Sequence, residues 1–502
     1  METKHVLIAG TASHAGKSVI VASLCRLLVN RGYRVAPFKS QNMSLNSWVT
    51  REGGEIGIAQ AMQAWAARIE PSADMNPILL KPKGEMVSQV IVHGKPIGDR
   101  KVREYYDSVD SIFAYVRDSL RALEQEYDVI VMEGAGSPAE INLYDMDIAN
   151  LRVARYTDAP VILVGDIERG GVFASLYGTL QLLPKNDQNR VKGFIINKFR
   201  GEKTLLEPGI QQLEELTGIR VLGVIPYVPV RLPSEDSVSL ADKSPAKNKR
   251  FDVAVIKLPH ISNFTDFEPL ESMASVRYVD LGDRVGDPDA LIIPGTKNTV
   301  DDLRALRRSG MDKQILSCAG RVPILGICGG FQILGMTITD EGIESTEGSN
   351  HVMAGLQLLP VDTIFCCLNK ETKQVRKLVT GNGPILGSIQ NQIVSGYEIH
   401  MGSTISPLPI FDDDGAQDAT GLVLGTYLHG LFHNDSFLNA FLGCLAERKH
   451  RAPLGVRSTL EVRASYELEY LQSDLESDPF DDLAAVLEHN VDLPALYEII
   501  GL

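Results

Sequence analysis

A cysteine set among glycines is the first residue in this sequence that could act as a nucleophile. The apolar run 322–327 is typical of a buried strand, and the pattern after Cys328, with Phe331 and Leu334, is typical of a helix. A strand, a sharp turn and a helix form a nucleophile elbow, which exposes one side chain above a sheet. The flanking glycines permit that turn, so we predict a catalytic thiol here and not a buried structural cysteine.

A thiol nucleophile needs a base, and two histidines qualify. His400 and His429 each end a strand-like run. His429 is followed by a glycine and preceded by a long apolar run, which favours it, while His400 remains an alternative. Gly295, in the turn after another buried strand, and Gly329 are predicted to supply backbone N–H groups to an oxyanion hole.

A second chemical centre is predicted at the start of the chain, where a strand over 6–9 leads into a glycine-rich loop and an amphipathic helix over 19–28. This is a P-loop with one extra residue, whose N–H groups cradle phosphates while its lysine pairs with their oxygens. The residues that we assign to ATP binding are Gly10, Thr11, Ser13, Gly16, Lys17, Ser18 and Asn197.

Two of the assignments at this centre rest on the ends of other strands. Glu133 follows a fully apolar strand, 129–132, where a P-loop fold keeps a second Mg²⁺ contact besides Ser18. Asn197 follows the late strand 193–196, and its amide can both donate to and accept from a base edge.

Polar side chains near other strand ends are candidates for substrate binding, because open α/β sheets bind ligands at the carboxyl ends of their strands. An anionic substrate on an acidic protein also requires a locally basic cleft. The candidates are Lys39, Gln41, Asn42, Lys81, Lys83 and Asp166.

Composition bounds the class of protein. The 502 residues are 44% hydrophobic and 23% charged, with a net charge of -15 and a pI near 5.2, which argues against general nucleic-acid binding. No apolar run approaches the roughly 20 residues that span a bilayer. The six cysteines follow no CxxC spacing, and the first strand begins almost at once. We therefore expect no signal peptide, reduced thiols and a cytoplasmic protein.

Strands that alternate with helices predict mostly parallel α/β sheets. We expect a P-loop domain over 1–233, a linker over 234–250 and a second α/β domain over 251–450. Residues 451–502 have helical periodicity, and we expect them to pack on the second domain.

These motifs resemble known families. The loop from Gly10 to Ser18 is similar to the variant P-loop of the dethiobiotin-synthetase-like group, and 133–136 to that group's magnesium strand. The elbow at 326–330, with 427–430, resembles a class I glutamine amidotransferase domain, which implies a flavodoxin-like fold. With 38–43 and 166–171, nearly the whole chain resembles the cobyric acid synthase family, the glutamine-dependent amidotransferases of the cobalamin pathway.

One position departs from the wider class. Most class I domains carry a glutamate two positions after the histidine, where this chain has Leu431. The cobalamin-type subgroup is similar in lacking it. The group that orients His429 is therefore left open, with Glu398 as a weak candidate.

The resemblance implies a glutamine-hydrolysing ligase that uses ATP and Mg²⁺. Cys328 and His429 would release ammonia, which would reach an acyl phosphate at the P-loop site. The implied substrate is adenosylcobyrinic acid a,c-diamide, amidated at the b, d, e and g carboxylates. The alternatives are cobyrinic acid a,c-diamide synthase and a partitioning-type ATPase switch with an inactive glutaminase-like domain. The expected partners are small molecules, with no nucleic acid and no membrane, and the oligomeric state stays open.

Overall fold

The protein contains two α/β domains, each built on a six-stranded sheet. The computed structural model describes residues 2–84, 86–228, 249–345, 350–366, 370–451 and 478–502. Most of the expected linker, 234–250, therefore lies outside the described residues. Among these residues no helix is long and apolar enough to cross a membrane.

The sheet of the first domain is entirely parallel, with the order β6-β5-β4-β1-β3-β2. Residues 6–9 of the central strand are fully buried, as their unbroken apolar run predicts. The carboxyl ends of the strands meet at one edge, where the predicted phosphate site lies. The strands are β1 Lys4–Gly10, β2 Val35–Phe38, β3 Val129–Glu133, β4 Val161–Asp166, β5 Val191–Phe199 and β6 Val221–Pro226.

Helices cover both faces of this sheet. The helix after the P-loop is α1, Lys17–Asn30. Residues 102–126 form two helices that meet at Ser108, whose hydroxyl donates to the Tyr105 carbonyl at 2.8 Å and so ends the first one. The other helices are Ile58–Ala66, Val102–Asp107, Val109–Glu126, Leu151–Thr157, Val172–Leu182, Lys185–Gln188 and Glu207–Thr217.

Two small sheets extend the first domain beside the carboxyl edge. One has four strands and the other has two. Residues 87–92 form one strand of the four-stranded sheet. Their strands are Gln41–Met43, Ile78–Gly84, Val87–Val92 and Lys95–Lys101 in the first, and Ser47–Val49 and Glu55–Gly57 in the second.

The main sheet of the second domain has the order β8-β7-β9-β10-β12-β11, and all its pairings are parallel except that of the edge strand β11. The short helix α2, Gly329–Leu334, follows β10 and completes the predicted elbow. The strands are β7 Asp252–Ile256, β8 Ser275–Val279, β9 Ala290–Ile293, β10 Ile324–Ile327, β11 Ala416–Gln417 and β12 Val423–Thr426.

Further elements surround this sheet. The remaining helices are Glu268–Met273, Thr299–Ser309, Met311–Cys318, Gly383–Leu386 and Asp435–Arg451. The remaining strands are Thr337–Glu341, Asn350–Ala354, Asp362–Phe365 and Ser403–Ile405, which form one sheet, and Lys370–Leu378 and Ile393–Met401, which pair antiparallel.

The last two helices are α3, Pro479–Asn490, and α4, Leu493–Ile500. They pack on α1, β1 and β6 of the first domain, so the expectation that they cover the second domain is wrong. Periodicity predicted helices here but could not identify the surface that they bury. The predicted helical stretch 460–471 lies outside the described residues.

Candidate active site

Cys328 occupies a strained turn between β10 and α2. Its backbone has φ 51° and ψ -111°, in a region that few non-glycine residues adopt. Its N–H donates to the Thr426 carbonyl at 2.8 Å, which fixes the turn against β12. A β-carbon on Gly330 would lie 2.0 Å from the Ile293 carbonyl oxygen, so only glycine fits beside the thiol. The elbow is thus enforced by close backbone packing.

His429 lies just after the end of β12, and the sulfur of Cys328 is near enough to act on its pKa. Its Nδ1 is 2.7 Å from Oδ2 of Asp266, whose Oδ1 accepts the N–H of Gly430 at 2.9 Å. Burial alone would lower the pKa of His429, but the carboxylate of Asp266 and the sulfur of Cys328 outweigh it and raise the pKa to about 10. The structure therefore brings together a thiol, an imidazole and a carboxylate in the order that nucleophilic catalysis uses.

Sequence reasoning missed Asp266, which lies 163 residues before the histidine in a short 3₁₀ helix, Phe264–Phe267. The weak candidate, Glu398, is wrong: its carboxylate pairs with Lys377 and with Lys373 at 3.0 Å. One signal was available, because Asp266 is an acid flanked by Thr265 and Phe267 in the loop region after the carboxyl end of β7. That pattern is common, however, and only the folded structure shows that Asp266 bonds to His429.

The alternative base, His400, is placed differently. Its Nδ1 lies 3.2 Å from the Gly402 carbonyl oxygen, and its ring stacks on Tyr427 with centroids 3.7 Å apart. Burial lowers its pKa to about 4, so this ring is neutral near pH 7. The arrangement favours His429 as the base for Cys328.

The two predicted oxyanion-hole glycines border the same corner of the site. A β-carbon on Gly295 would lie 3.1 Å from Cε1 of His429. One on Gly329 would lie 3.1 Å from the backbone nitrogen of Thr296, the residue after Gly295. Their assignment as oxyanion donors stays a prediction that this proximity supports.

A cavity beside Cys328 reaches the first domain. It is lined by Gln332, by Lys297 and Lys370 of the second domain, and by Lys81 of the first. Burial lowers the pKa of Lys370 to about 7 against the opposing effect of Glu55. The thiol therefore faces a space between the domains that is lined by three lysines and by Glu344.

The phosphate loop has the geometry expected of a P-loop. Gly16 has φ 95°, which favours glycine, and α1 begins at the next residue. The Nζ of Lys17 donates to the carbonyls of Ala12 at 3.0 Å and Gly136 at 3.1 Å, across the loop where phosphates would lie. Gly10, Thr11 and Ser13 lie in the same loop.

Glu133, at the end of β3, is the centre of a buried polar cluster. Its Oε1 accepts the hydroxyl of Ser18 at 3.0 Å and the amine of Lys39 at 2.8 Å, and its other oxygen accepts the amide of Gln63. A carboxylate next to a P-loop serine is a suitable oxygen donor set for Mg²⁺, which takes one or two protein ligands together with phosphates and water. These residues therefore fit the predicted ion.

The three candidate lysines do not form an open basic cleft. Lys39 pairs with Glu133, as described above. Lys81 is buried between the domains, 2.6 Å from Glu55 Oε1. Lys83 is buried too, 2.9 Å from Asp99 Oδ2. A buried lysine requires a partner, and the fold provides one for each of the three. Whether these lysines also bind the anionic substrate stays a prediction.

The other substrate candidates also have partners. Oε1 of Gln41 accepts the hydroxyl of Tyr105 at 2.5 Å, and Asn42 donates to Gln60 at 2.9 Å. Asp166 pairs with Lys198 at 2.8 Å. Whether these residues also bind substrate stays a prediction.

Comparison with known proteins agrees with this architecture. Residues 6–239 match the family model described as the CobQ/CobB/MinD/ParA nucleotide binding domain, and 252–437 match the CobB/CobQ-like glutamine amidotransferase domain. The predicted fold class, a P-loop domain joined to a class I amidotransferase domain, is thereby confirmed. The class that fold and site define is a glutamine amidotransferase with its own nucleotide-binding domain.

Relatives narrow this class. A protein of Methanosarcina acetivorans named "Probable cobyric acid synthase" is 56% identical, over 100% of this chain and 100% of its own length. One of Methanococcoides burtonii with the same name is 56% identical, over 99% of this chain and 97% of its own. The chain belongs to the cobyric acid synthase family. This confirms the resemblance and the prediction of a glutamine-hydrolysing carbon–nitrogen ligase.

Proposed function

We propose that this enzyme converts adenosylcobyrinic acid a,c-diamide to adenosylcobyric acid by amidating its b, d, e and g carboxylates, with glutamine as nitrogen donor and ATP as activator. The observation that carries the proposal is the buried arrangement of Cys328, His429 and Asp266 in a domain packed against a P-loop domain. The full-length relatives support the choice of substrate.

The first half-reaction breaks the side-chain amide of glutamine. His429 takes the proton of the Cys328 thiol, the thiolate attacks the amide carbon, and the oxygen becomes an oxyanion beside Gly295 and Gly329. The C–N bond breaks as His429 gives its proton to the departing nitrogen, which leaves as ammonia. Water then hydrolyses the glutamyl thioester to glutamate and restores the thiol. Asp266 holds the imidazole in position and stabilises its charged form throughout.

Ammonia must leave unprotonated to act as a nucleophile. The cavity beside Cys328 supports a route toward the first domain, because amines from both domains line it. We place the start of the ammonia route in this cavity.

The second half-reaction activates a carboxylate, whose own oxygen leaves poorly. An oxygen of the substrate attacks the γ-phosphorus of ATP, ADP leaves, and an acyl phosphate forms. Ammonia attacks the acyl carbon, and phosphate departs with the original carboxylate oxygen. Lys17 is placed to offset charge on the phosphates. Ser18 and Glu133 would hold Mg²⁺, which when bound neutralises charge that develops on the phosphate oxygens.

Replacement of the Cys328 thiol tests whether glutamine hydrolysis and carboxylate amidation occur at separate sites. Cys328→Ala should lose glutamine-driven amidation and keep ammonia-driven amidation, whereas Lys17→Ala should lose both. Product formation is measured with glutamine and with ammonium chloride as nitrogen sources. Equal activity of Cys328→Ala with both sources, or loss of both in a folded protein, would contradict the role of Cys328.

A sister activity, cobyrinic acid a,c-diamide synthase, uses the same two domains on two other carboxylates. Trials with cobyrinic acid and with its a,c-diamide separate the two activities, and we expect turnover of the a,c-diamide only. The partitioning-type switch predicts ATP hydrolysis without consumption of glutamine. We place the enzyme in the cytoplasm, since its thiol must remain reduced.

A further inference from the structure

A buried carboxylate beside the thiol site is not used by the chemistry described so far. Asp302 lies in the first turn of the helix Thr299–Ser309 and is fully buried. Its Oδ1 is 2.7 Å from Nδ1 of His260, and its Oδ2 accepts the backbone N–H of His260 at 3.2 Å and the hydroxyl of Thr296 at 2.5 Å. A buried carboxylate is costly unless donors satisfy it, so these bonds fix both donors relative to the helix.

Asp302 joins two loops that border the active site. His260 lies in the loop after β7, which continues into the 3₁₀ helix that carries Asp266, and Thr296 lies in the loop after β9. The two loops meet in an isolated antiparallel bridge, and the N–H of Lys297 donates to the carbonyl of His260 at 3.0 Å. The side chain of Asp302 therefore adds to the backbone bonds that hold these loops together.

The backbone N–H of Thr296 faces the thiol site. The bonds of the bridge are made by the residues on either side of Thr296, so its own N–H points away from the β7 loop. Within the part of the chain that the structure describes, this N–H donates to no protein acceptor. A β-carbon on Gly329, the residue after Cys328, would lie 3.1 Å from this nitrogen. An unused N–H at this corner can donate to a developing oxyanion.

We infer that Asp302 is a positioning residue for glutamine hydrolysis, which holds Thr296 so that the Thr296 N–H donates to the oxyanion together with that of Gly329. The inference rests on the proposed function, because it requires the attack of a thiolate on an amide. The hydrogen bond with Asp302 also raises the pKa of His260 against the effect of burial, as expected for an imidazole held by a carboxylate.

The first test removes the charge of Asp302 and keeps its shape. Asp302→Asn offers one acceptor oxygen where the donors now use two, so the place of Thr296 is no longer fixed. An oxyanion donor acts in the transition state, so we expect kcat of glutamine hydrolysis by the full-length enzyme to fall roughly tenfold or more, with KM within about twofold. Asp301→Asn is the matched control in the same helical turn. The carboxylate of Asp301 bonds to Arg304 at 3.0 Å, and its loss should leave both constants unchanged.

A second measurement separates positioning from misfolding. Alkylation of Cys328 by iodoacetamide is a displacement at a saturated carbon, which needs the thiolate but forms no oxyanion. Asp302→Asn should therefore be alkylated at an unchanged rate and to the same extent, after the reaction of the other cysteines, measured in Cys328→Ala, is subtracted. Equal loss of alkylation and of glutamine turnover would overturn the inference, because the thiol itself would then be disturbed.

A second variant tests the connection through Thr296. Thr296→Val keeps the shape of the side chain and removes the hydroxyl that bonds to Asp302. It should lower kcat with little change in KM, and the double variant should be little worse than either single variant, because the two residues act as a unit. An unchanged kcat in either single variant, or losses that multiply in the double variant, would overturn the inference. Failure of the unmodified enzyme to hydrolyse glutamine would instead contradict the proposed function.

Discussion

The ring of Trp48, in the first domain, lies 5.0 Å from the ring of Tyr397, in the second. The ring of Tyr397 in turn stacks on the imidazole of His429 at 5.3 Å. Nearby, Asn263 donates to the Ser47 carbonyl at 2.9 Å and to the hydroxyl of Tyr397. Ser47 and Trp48 of the first domain thus contact residues next to the catalytic histidine, so the first domain packs directly against the thiol site of the second.

Loss of this contact should uncouple the two reactions. We expect Trp48→Ala to raise the glutamate released per ATP consumed by about twofold or more, because a gap beside Tyr397 opens the interface. Trp48→Phe keeps an aromatic ring beside Tyr397, so the glutamate released per ATP consumed should stay near that of the unmodified enzyme. The ratio is measured from glutamate and phosphate in the same reaction, and an unchanged ratio for Trp48→Ala contradicts coupling through this contact.

The carboxylate of Asp266, which bonds to His429, should matter for glutamine hydrolysis only. Asp266→Asn keeps the shape but removes the charge that stabilises the imidazolium, so glutaminase turnover should fall on the order of a thousandfold. Ammonia-driven amidation should remain. Glu398→Gln removes a carboxylate whose partners are lysines, and it should cost glutaminase turnover little. Similar losses of glutaminase turnover in Asp266→Asn and Glu398→Gln would contradict the proposed role of Asp266 in positioning His429.

The raised pKa of His429 has a consequence for stability. A folded-state pKa of about 10 against an unfolded value near 6.5 stabilises the fold fully below pH 6.5, and this contribution is lost as pH rises through 10. The difference in unfolding temperature between the unmodified protein and His429→Gln should therefore shrink between pH 6.5 and pH 10. If the difference in unfolding temperature grows between pH 6.5 and pH 10, the pKa of His429 is not raised in the folded protein.

Close packing of the elbow predicts that Gly330 cannot be replaced without loss of glutaminase activity. Gly330→Ala places a methyl group 2.0 Å from the Ile293 carbonyl oxygen, so the elbow must distort and glutaminase activity should be lost. Mg-ATP binding in the other domain should persist. Gly443→Ala is the matched control, since a β-carbon there meets open space in a helix and should stabilise the fold by about 0.5–1 kcal/mol.

Prediction from sequence succeeded where the chemistry is local. The P-loop and the Cys328 elbow are short, contiguous patterns in which strand, glycine and helix follow one another, so spacing alone identifies them. Asp266 belongs to neither pattern, because its role depends on a contact between the 3₁₀ helix Phe264–Phe267 and His429, 163 residues later. The lysines show the same limit: sequence reveals the charge of Lys81 but not the buried Glu55 that pairs with it.

The C-terminal helices were the largest error of placement. Their amphipathic period predicts a buried face, but many surfaces could accept it. The surface that these helices cover is decided by specific hydrogen bonds. Arg26 donates to Asp478, and the N–H of Asp492 donates to the Leu222 carbonyl at 2.8 Å. Such long-range partners are visible only in the folded chain.

The return of α3 and α4 to the first domain makes the amidotransferase an insertion within the synthetase, with both termini of the chain on one body. A β-carbon on Gly501 would lie 3.6 Å from Cε of Lys4. During translation the second domain can therefore finish folding while the first still lacks its closing helices. Because α3 and α4 follow the second domain along the chain, the first domain cannot complete its fold until residues beyond that domain have been synthesised.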